Sequence, residues 1–546
     1  MARERITRRQ KDIARVQREE RGRIRDRWRS LTRRPAPPLP PNPLFSRRQV
    51  RELKERGISL AEAYRQYEML KRGAYYVKLV RPCRVGDGIL TIPEREYHNL
   101  LTLHDEAMAA GRMMKFVPAS GAATRMFQDW YRVLAGEFKD EGVFLSELEK
   151  YPFYSLLKER ITAHGLEIGN LSGRQVAEFI LTERGLNYGN LPKALIPFHR
   201  YREEIRTALE EHLIEAAMYI VDMKGVCRLH FTTPPHQWDL MASFIDQIKG
   251  IYEKKCGVVY ALTLSPQSPG TDTIALGEDG QVVKDKVGQI LFRPGGHGAL
   301  LKNLHELRGD LIFIKNIDNV VREENLPEVA FWHKLMGGFV VEREREIHGL
   351  LREIKSGKIK NAEEYVTEVL GLRIPREEGK KAEFLYTSLH RPVRVCGMVR
   401  NEGEPGGGPF WVETKEGEIS LQIVEEAQVD LSSPKEMKKW REATHFNPVD
   451  LVCSLRDENG FNYRLFDFAD ESMALVTYKS EQGRTIRVVE HPGLWNGGMA
   501  RWITFFIEIP TSIFNPVKTC TDLLRPTHQP KETNEKNPPS QTGNFP

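Results

Sequence analysis

FRPGGHGALLKNLHELRGDLIFIKNIDNVV, residues 292–321, decides how the rest of the chain reads. A Gly-rich turn (Pro294, Gly295, Gly296, His297, Gly298) opens it. An amphipathic segment follows, with Leu300, Leu301, Leu304 and Leu307 at helical spacing. Leu311, Ile312, Phe313 and Ile314 then form a short, wholly apolar run, the pattern of a parallel strand buried on both faces. Ligands of open α/β sheets bind at the carboxyl ends of strands, which is where Asp318 falls. A carboxylate there suits a metal ion, and glycine backbone there lets N–H groups approach a flat or anionic ligand. A plain helix–strand unit with a Gly turn and an Asn/Asp cap explains this stretch alone equally well.

Working outward, the same rhythm recurs. Lys115 to Pro118 reads as a strand running into the small-residue turn Ala119-Ser120-Gly121-Ala122-Ala123-Thr124-Arg125 and then a helix. Such a turn offers free helix N-terminal N–H groups to an anion, and Arg125 adds a fixed positive charge. Lys193, between Pro192 and an apolar run, is a stiffly held point charge suited to phosphate; a snorkelling surface lysine is the alternative. Strands are expected at 226–233 and 258–264, the latter ending at Gln267, with helices at 206–217 and 237–249. Alternation of this kind predicts a mostly parallel sheet flanked by helices.

The 546 residues suffice for more than one domain. Residues 1–44 are a basic arm followed by a Pro-rich linker, 45–110 an N-terminal helical segment, and 111–345 an α/β core. Within that core 137–185 reads as a helical insertion resembling a lid. Residues 346–524 read as a helical connector and a strand-rich part, and 525–546 as a polar, disordered tail. SRRQVRELKERG and SLAEAYRQYEMLKRG each begin with a Ser N-cap and end in Gly, the grammar of two short helices.

The net charge of +6 is concentrated in the arm, between Arg3 and Arg34, so no nucleic-acid partner is expected of the remainder. No apolar run is long enough for a membrane span. The six cysteines include no CxxC, which suggests reduced thiols in a cytoplasmic protein. His230, His236, His297 and His445 match no metal-binding signature, GxSxG is absent, and no GKS or GKT completes a P-loop.

Several weak motifs fall in one order. FVPASGAATRMF resembles the nucleotide loop of sugar-1-phosphate nucleotidyltransferases (LxGGxGTRL), and LPKALIPF their following Pro-Lys. FRPGGHGALL is similar to the PPGHGD of UDP-glucose pyrophosphorylases, and LIFIKNIDNV to the strand whose Asp binds Mg²⁺. EEAQV resembles their EIAQV, HFNPVDLV their FNTNNLW, and IFNPVKTCTDLL their FLPVKTTSDLL. The chain from Lys115 to Leu524 thus resembles the UDP-sugar pyrophosphorylase and sugar-1-phosphate nucleotidyltransferase superfamily. The whole chain also resembles an uncharacterised bacterial family of unassigned function.

The resemblance implies a nucleotide-diphospho-sugar transferase-like (GT-A, Rossmann-like) fold and transfer of a nucleotidyl group, UTP-type, from a nucleoside triphosphate to a sugar phosphate. It implies that Arg125, Lys193 and Lys518 are catalytic. Ala119, Ser120, Gly121, Thr124, Gln267, Gly295, Gly296, His297 and Gly298 would bind the nucleotide, and Glu425 and Asn447 the sugar phosphate. Asp318, with Asp450, would hold Mg²⁺. The sequence departs from the family where Ser120 and Ala123 replace Gly, where the insertion separates Arg125 from Lys193, and where Val449 and Asp450 replace paired Asn. Nucleotide, sugar and oligomeric state stay open, and two other readings remain: a glycosyltransferase of the same architecture and a non-catalytic nucleotide-binding protein. Because the Pro-rich linker separates the arm from the first packed helix, deletion of residues 1–44 should leave soluble, folded protein. Circular dichroism and gel filtration of the truncated chain check this.

Overall fold

The computed structural model describes residues 44–73, 75–121, 123–137, 142–403, 406–414, 417–481 and 483–530. The basic arm and most of the tail lie outside them. The chain divides into two compact units. Among the described residues the smaller draws on 44–73, 269–294 and 476–489, the larger on 75–268, 295–475 and 490–530. The 292–321 stretch therefore spans the two: Phe292–Arg293 is a strand of the smaller unit and Leu311–Lys315 a strand of the larger.

In the smaller unit the two predicted helices are Arg47–Arg56 and Leu60–Arg72. Ser46 and Gln49 close a capping box, and Gly57, with φ 84°, ends the first helix in the left-handed region that favours glycine. The strands of this unit form one sheet in the order Phe292–Arg293, Thr273–Gly277, Arg484–Glu490, Leu475–Glu481. Gln66 Oε1 accepts the N–H of Ile274 at 3.0 Å and ties the second helix to it.

The larger unit is a mixed α/β structure built on a ten-stranded sheet. The tenth strand, His445–Phe446, pairs with Val393–Arg400 to one side of the main order. In that order, from one edge and after the short strand Arg84–Val85, come Gly88–Leu90, Ile503–Glu508, Val393–Arg400, Asp450–Ser454, Leu311–Lys315, Met113–Val117, Val226–Thr233 and Val259–Pro266. Every neighbouring pair in that order is parallel except the two made by Asp450–Ser454. The carboxyl ends of the Met113, Val226, Val259 and Leu311 strands consequently share one edge. Successive side chains of a strand face opposite sides. Leu311 and Phe313 thus enter one buried cluster, with Met113, Val117 and Leu229, while Ile312 and Ile314 enter another on the other face.

The same alternation puts Lys115 and Lys315 on the Leu311–Phe313 face. Both are buried. Lys115 Nζ meets Glu215 Oε1 at 2.8 Å and Lys315 Nζ meets Oε2 at 2.9 Å. Glu215 lies on the helix Ala208–Ala217, which Thr207 caps. Burial opposes ionisation of Glu215, but the two lysines hold its carboxyl well below the usual range. Burial pushes Lys115 down to about 8 against the pull of Glu215. Tyr219 donates to Glu215 Oε1 at 3.0 Å and stacks on His333, whose Nε2 is 2.8 Å from Asp450 Oδ1.

The helices of the 142–181 region are no detached lid. Tyr151, Phe153, Leu157, Ile161, Val176 and Ile180 are buried in the main core cluster. The boundary expected between residues 345 and 346 falls inside one continuous helix, Leu326–Lys355, which packs on Glu94–Ala109. That crossing is close. A Cβ added at Gly338 would stand 1.9 Å from the carbonyl oxygen of Leu100, whereas one at Gly349 would meet nothing within 4 Å. Gly338→Ala should therefore destabilise by roughly 1–3 kcal/mol through overpacking, and Gly349→Ala should gain up to about 1 kcal/mol of helix propensity. Calorimetric melting of the two variants should shift in opposite directions; equal shifts would mean that this contact does not set the crossing.

Candidate functional site

At the carboxyl end of the Leu311 strand, Asp318 is the meeting point of three distant segments. Lys193 Nζ reaches Asp318 Oδ2 at 3.0 Å and the carbonyl of Val517 at 2.9 Å. Lys518 Nζ lies 3.1 and 3.3 Å from the two carboxylate oxygens. The backbone is joined too: Val517 N–H donates to the Asp318 carbonyl at 3.0 Å. Burial disfavours the charged carboxylate, but Lys518 and Lys193 outweigh it and hold Asp318 below its ordinary range. Two ammonium groups on one carboxylate leave an excess positive charge, an arrangement suited to anions.

Local sequence explains how each lysine is presented. Pro192, in extended conformation, delivers Lys193 into a single 3-10 turn, Lys193–Leu195. Lys518 follows the fully buried Val517. Asp522 Oδ2 accepts the N–H groups of both Lys518 and Thr519 at 2.7 Å and fixes the backbone beneath the lysine. The Lys518 side chain is 45% exposed against 12% for Lys193, so Lys518 is the donor that solvent-borne phosphate reaches more readily. Asp522 was not foreseen; its signal is the Thr519-x-x-Asp522 capping pattern.

The small-residue turn borders the same place. Ile317 N–H donates to the Pro118 carbonyl at 3.3 Å, and Cys520 N–H to the Met126 carbonyl at 2.7 Å. The segments carrying Asp318 and Lys518 are thereby tied to both ends of the turn that bears Ser120, Gly121, Thr124 and Arg125. Thr124 and Arg125 are exposed on the 3-10 turn Ala123–Arg125. Ala119 is buried, and its N–H is committed to Thr232 Oγ1 at 3.0 Å.

Further bonds continue along the strand ends. Gln267 N–H donates to the Thr233 carbonyl at 3.0 Å. Asn303, on the helix Leu301–Leu307, donates to Ser265 Oγ and the Pro266 carbonyl at 2.7 and 2.9 Å. The Gly turn before that helix holds His297. Its Nδ1 accepts the Leu494 N–H at 3.1 Å, its ring stacks on Trp495 at 4.1 Å, and its Nε2 lies 3.3 Å from Glu425 Oε1. Burial raises Glu425, but His297, Asn496 and Trp495 together hold it below its usual value. Gly298 needs to be glycine, since a Cβ there would stand 2.3 Å from the Pro492 carbonyl. Gly296, at φ 72°, lies in the left-handed region.

Two of the expected residues are engaged elsewhere. Asn447 uses its amide on the backbone, donating to the Gly397 carbonyl at 2.9 Å and accepting from Val449 N–H at 3.1 Å. Its side chain thereby braces the φ 58° kink at Val449. Asp450 Oδ1 faces His333 and the carboxylate acts on the buried Lys115, so its partners differ from those of Asp318.

The chain belongs to the family described as Domain of unknown function (DUF4301), which matches residues 46–529. Among solved structures it is similar to the UDP-N-acetylglucosamine pyrophosphorylase of Trypanosoma brucei, crystallised with an inhibitor: 13% identity, 88% of this chain and 79% of that one, TM-score 0.45. It is also similar to a mutant UDP-glucose pyrophosphorylase of Leishmania major: 13% identity, 87% and 77% coverage, TM-score 0.42. No curated protein matches the sequence.

Because Lys518 and Lys193 favour the ionised carboxylate of Asp318, its pairing depends on pH. Its bonds to the lysines stabilise the fold above the ordinary carboxylate range, and that contribution is lost as pH falls through the depressed folded value. Asp318→Asn should melt below the wild type at pH 7, and the gap should close under acid conditions, below about pH 4. A gap constant from neutral to acid pH would show that the charge is not its source.

Proposed function

We propose that this protein is a sugar-phosphate nucleotidyltransferase, converting a nucleoside triphosphate, UTP in the first instance, and a sugar 1-phosphate to an NDP-sugar and pyrophosphate. The observation that carries this reading is the convergence of Lys193 and Lys518 on Asp318 at the carboxyl ends of the parallel strands.

In the reaction an oxygen of the sugar phosphate attacks the α-phosphorus and the bond to the bridging β-oxygen breaks, with the electron pair leaving on pyrophosphate. The nucleophile is already anionic, so no general base is required. The difficulty is assembling anions and stabilising charge that develops on phosphate oxygens. Arg125 and the N–H groups of Ser120 and Gly121 face the triphosphate in this reading. Lys193 and Lys518 turn from Asp318 to the α-phosphate and the incoming phosphate. Asp318, a hard oxygen donor kept ionised, fits Mg²⁺, which takes one or two protein carboxylates together with phosphate oxygens and water. Bound Mg²⁺ would neutralise phosphate charge as a Lewis acid. His297 and Glu425, with the Gly295–Gly298 backbone, would then meet base and sugar. The six cysteines, all unpaired and five of them buried, support a reducing, cytoplasmic setting. No helix among the described residues is long and apolar enough to cross a membrane.

Pyrophosphate release from a panel of nucleoside triphosphates with sugar 1-phosphates tests the proposal. Lys518→Ala should lower kcat by about 10²–10³, the usual loss for one preorganised donor, and, because Lys193 still pairs with Asp318, should lower the melting temperature at pH 7 less than Asp318→Asn does. Lys518→Arg should rescue only in part, because a planar guanidinium presents its donors differently. An unaltered rate in Lys518→Ala removes that residue from the site. Nucleotide binding without pyrophosphate release favours the non-catalytic reading, and consumption of NDP-sugar favours a glycosyltransferase.

A further inference from the structure

At the edge of the large sheet opposite Asp318, two segments bring an imidazole and two carboxylates together. His390 ends the helix Glu378–Leu389, immediately before the Val393 strand. Asp457 and Glu458 lie in the turn that follows the antiparallel strand Asp450–Ser454. His390 Nε2 stands 3.9 Å from Asp457 Oδ2 and 3.8 Å from Glu458 Oε2. One donor atom from each residue lies within 4.8 Å of the other two.

These separations are too long for direct hydrogen bonds. They do suit three donors around a single cation at about 2.0–2.5 Å from each. The remaining atoms of the carboxylates are already assigned. Asp457 Oδ1 accepts the N–H groups of Asn459 and Phe461, both at 2.9 Å, which fixes the turn and aims Oδ2 at His390. Glu458 Oε1 takes Lys355 Nζ and Asn459 Nδ2.

Glu458 Oε2 is the telling atom. The side chain is only 1% exposed, yet Oε2 has no hydrogen-bond partner among the described residues. Leaving a charged oxygen buried and unpaired is costly. The hydroxyl of Tyr463 is likewise buried and unpartnered, and its ring lies edge-on to His390 at 5.1 Å. His390 is oriented from its other side by stacking on Tyr386.

We propose that His390, Asp457 and Glu458 form a binding site for a divalent transition cation of the Zn²⁺ or Mn²⁺ class, which clamps the start of the Val393 strand to the turn after Ser454. One imidazole nitrogen with two carboxylate oxygens is a donor set for such ions. Lys355, half exposed at the end of the helix Leu326–Lys355, binds the other oxygen of Glu458 and is the competing cation in the free protein.

Titration calorimetry of the full chain, freed of metal with chelator and dialysed, tests this with Zn²⁺. One equivalent should bind to the wild type and to Asp318→Asn alike, and should raise the melting temperature of both by mass action. His390→Gln and Glu458→Gln should each bind at least tenfold more weakly, while Lys355→Met should bind more tightly. Comparing melting in chelator separates lost binding from lost folding. Mn²⁺ bound to the wild type should show imidazole nitrogen coupling by pulsed electron paramagnetic resonance, a readout that needs no variant. Absence of a bound equivalent in the wild type, lack of nitrogen coupling, or wild-type affinity in a folded His390→Gln protein each overturns the proposal.

Discussion

Glu215, shared between Lys115 and Lys315 where no water reaches, is the interaction on which the larger unit turns. Burying charges costs several kcal/mol apiece, and mutual attraction repays that only with close geometry. Here the geometry is enforced by the sheet. Phe313 pairs with Lys115, so Lys315 stands two residues farther along the same face. Both ammonium groups then meet one carboxylate from the helix Ala208–Ala217. The cluster sits three residues before Asp318 and fixes the end of the strand that presents it. Asp450, held by His333, offsets part of the positive charge the cluster leaves over.

From that anchor the site is assembled by backbone bonds more than by side chains. Ile317 to Pro118, Val517 to Asp318 and Cys520 to Met126 are all main-chain links. Side chains of unrelated sequence position are thus delivered to one place by rigid connections. A charged centre built in this way keeps its shape when individual surface residues vary, and changes when a loop length does.

Much of this was legible beforehand. Alternation of short apolar runs with helical spacing predicted the mixed, mostly parallel sheet, and the apolar run at 311–314 is a strand buried on both faces, as expected. The small-residue turn, Lys193, Asp318 and Lys518 were singled out together through the family resemblance, and what the structure adds is the contact of both lysines with Asp318. The buried lysines were not, since Lys115 and Lys315 at the ends of apolar runs look like strand flanks in contact with water. Nor could the partners of Asn447 and Asp450 be read, since the Gly397 carbonyl and His333 lie far from them in sequence. The division of the smaller unit among three chain segments leaves no local signature, because the pairing of Thr273–Gly277 with Arg484–Glu490 joins residues more than two hundred positions apart.

Asp318 and Lys518 are separated by 200 residues of chain. On a ribosome adding roughly 5–20 residues per second, the carboxylate emerges tens of seconds before its second lysine. During that interval Lys193 alone can neutralise it, and the cleft has neither its lysine pair nor the Asp522-braced turn. The nascent chain therefore lacks the Lys518 contact with Asp318 until its last packed turns are made. A premature stop anywhere between the two residues yields a chain in which Asp318 has no second lysine.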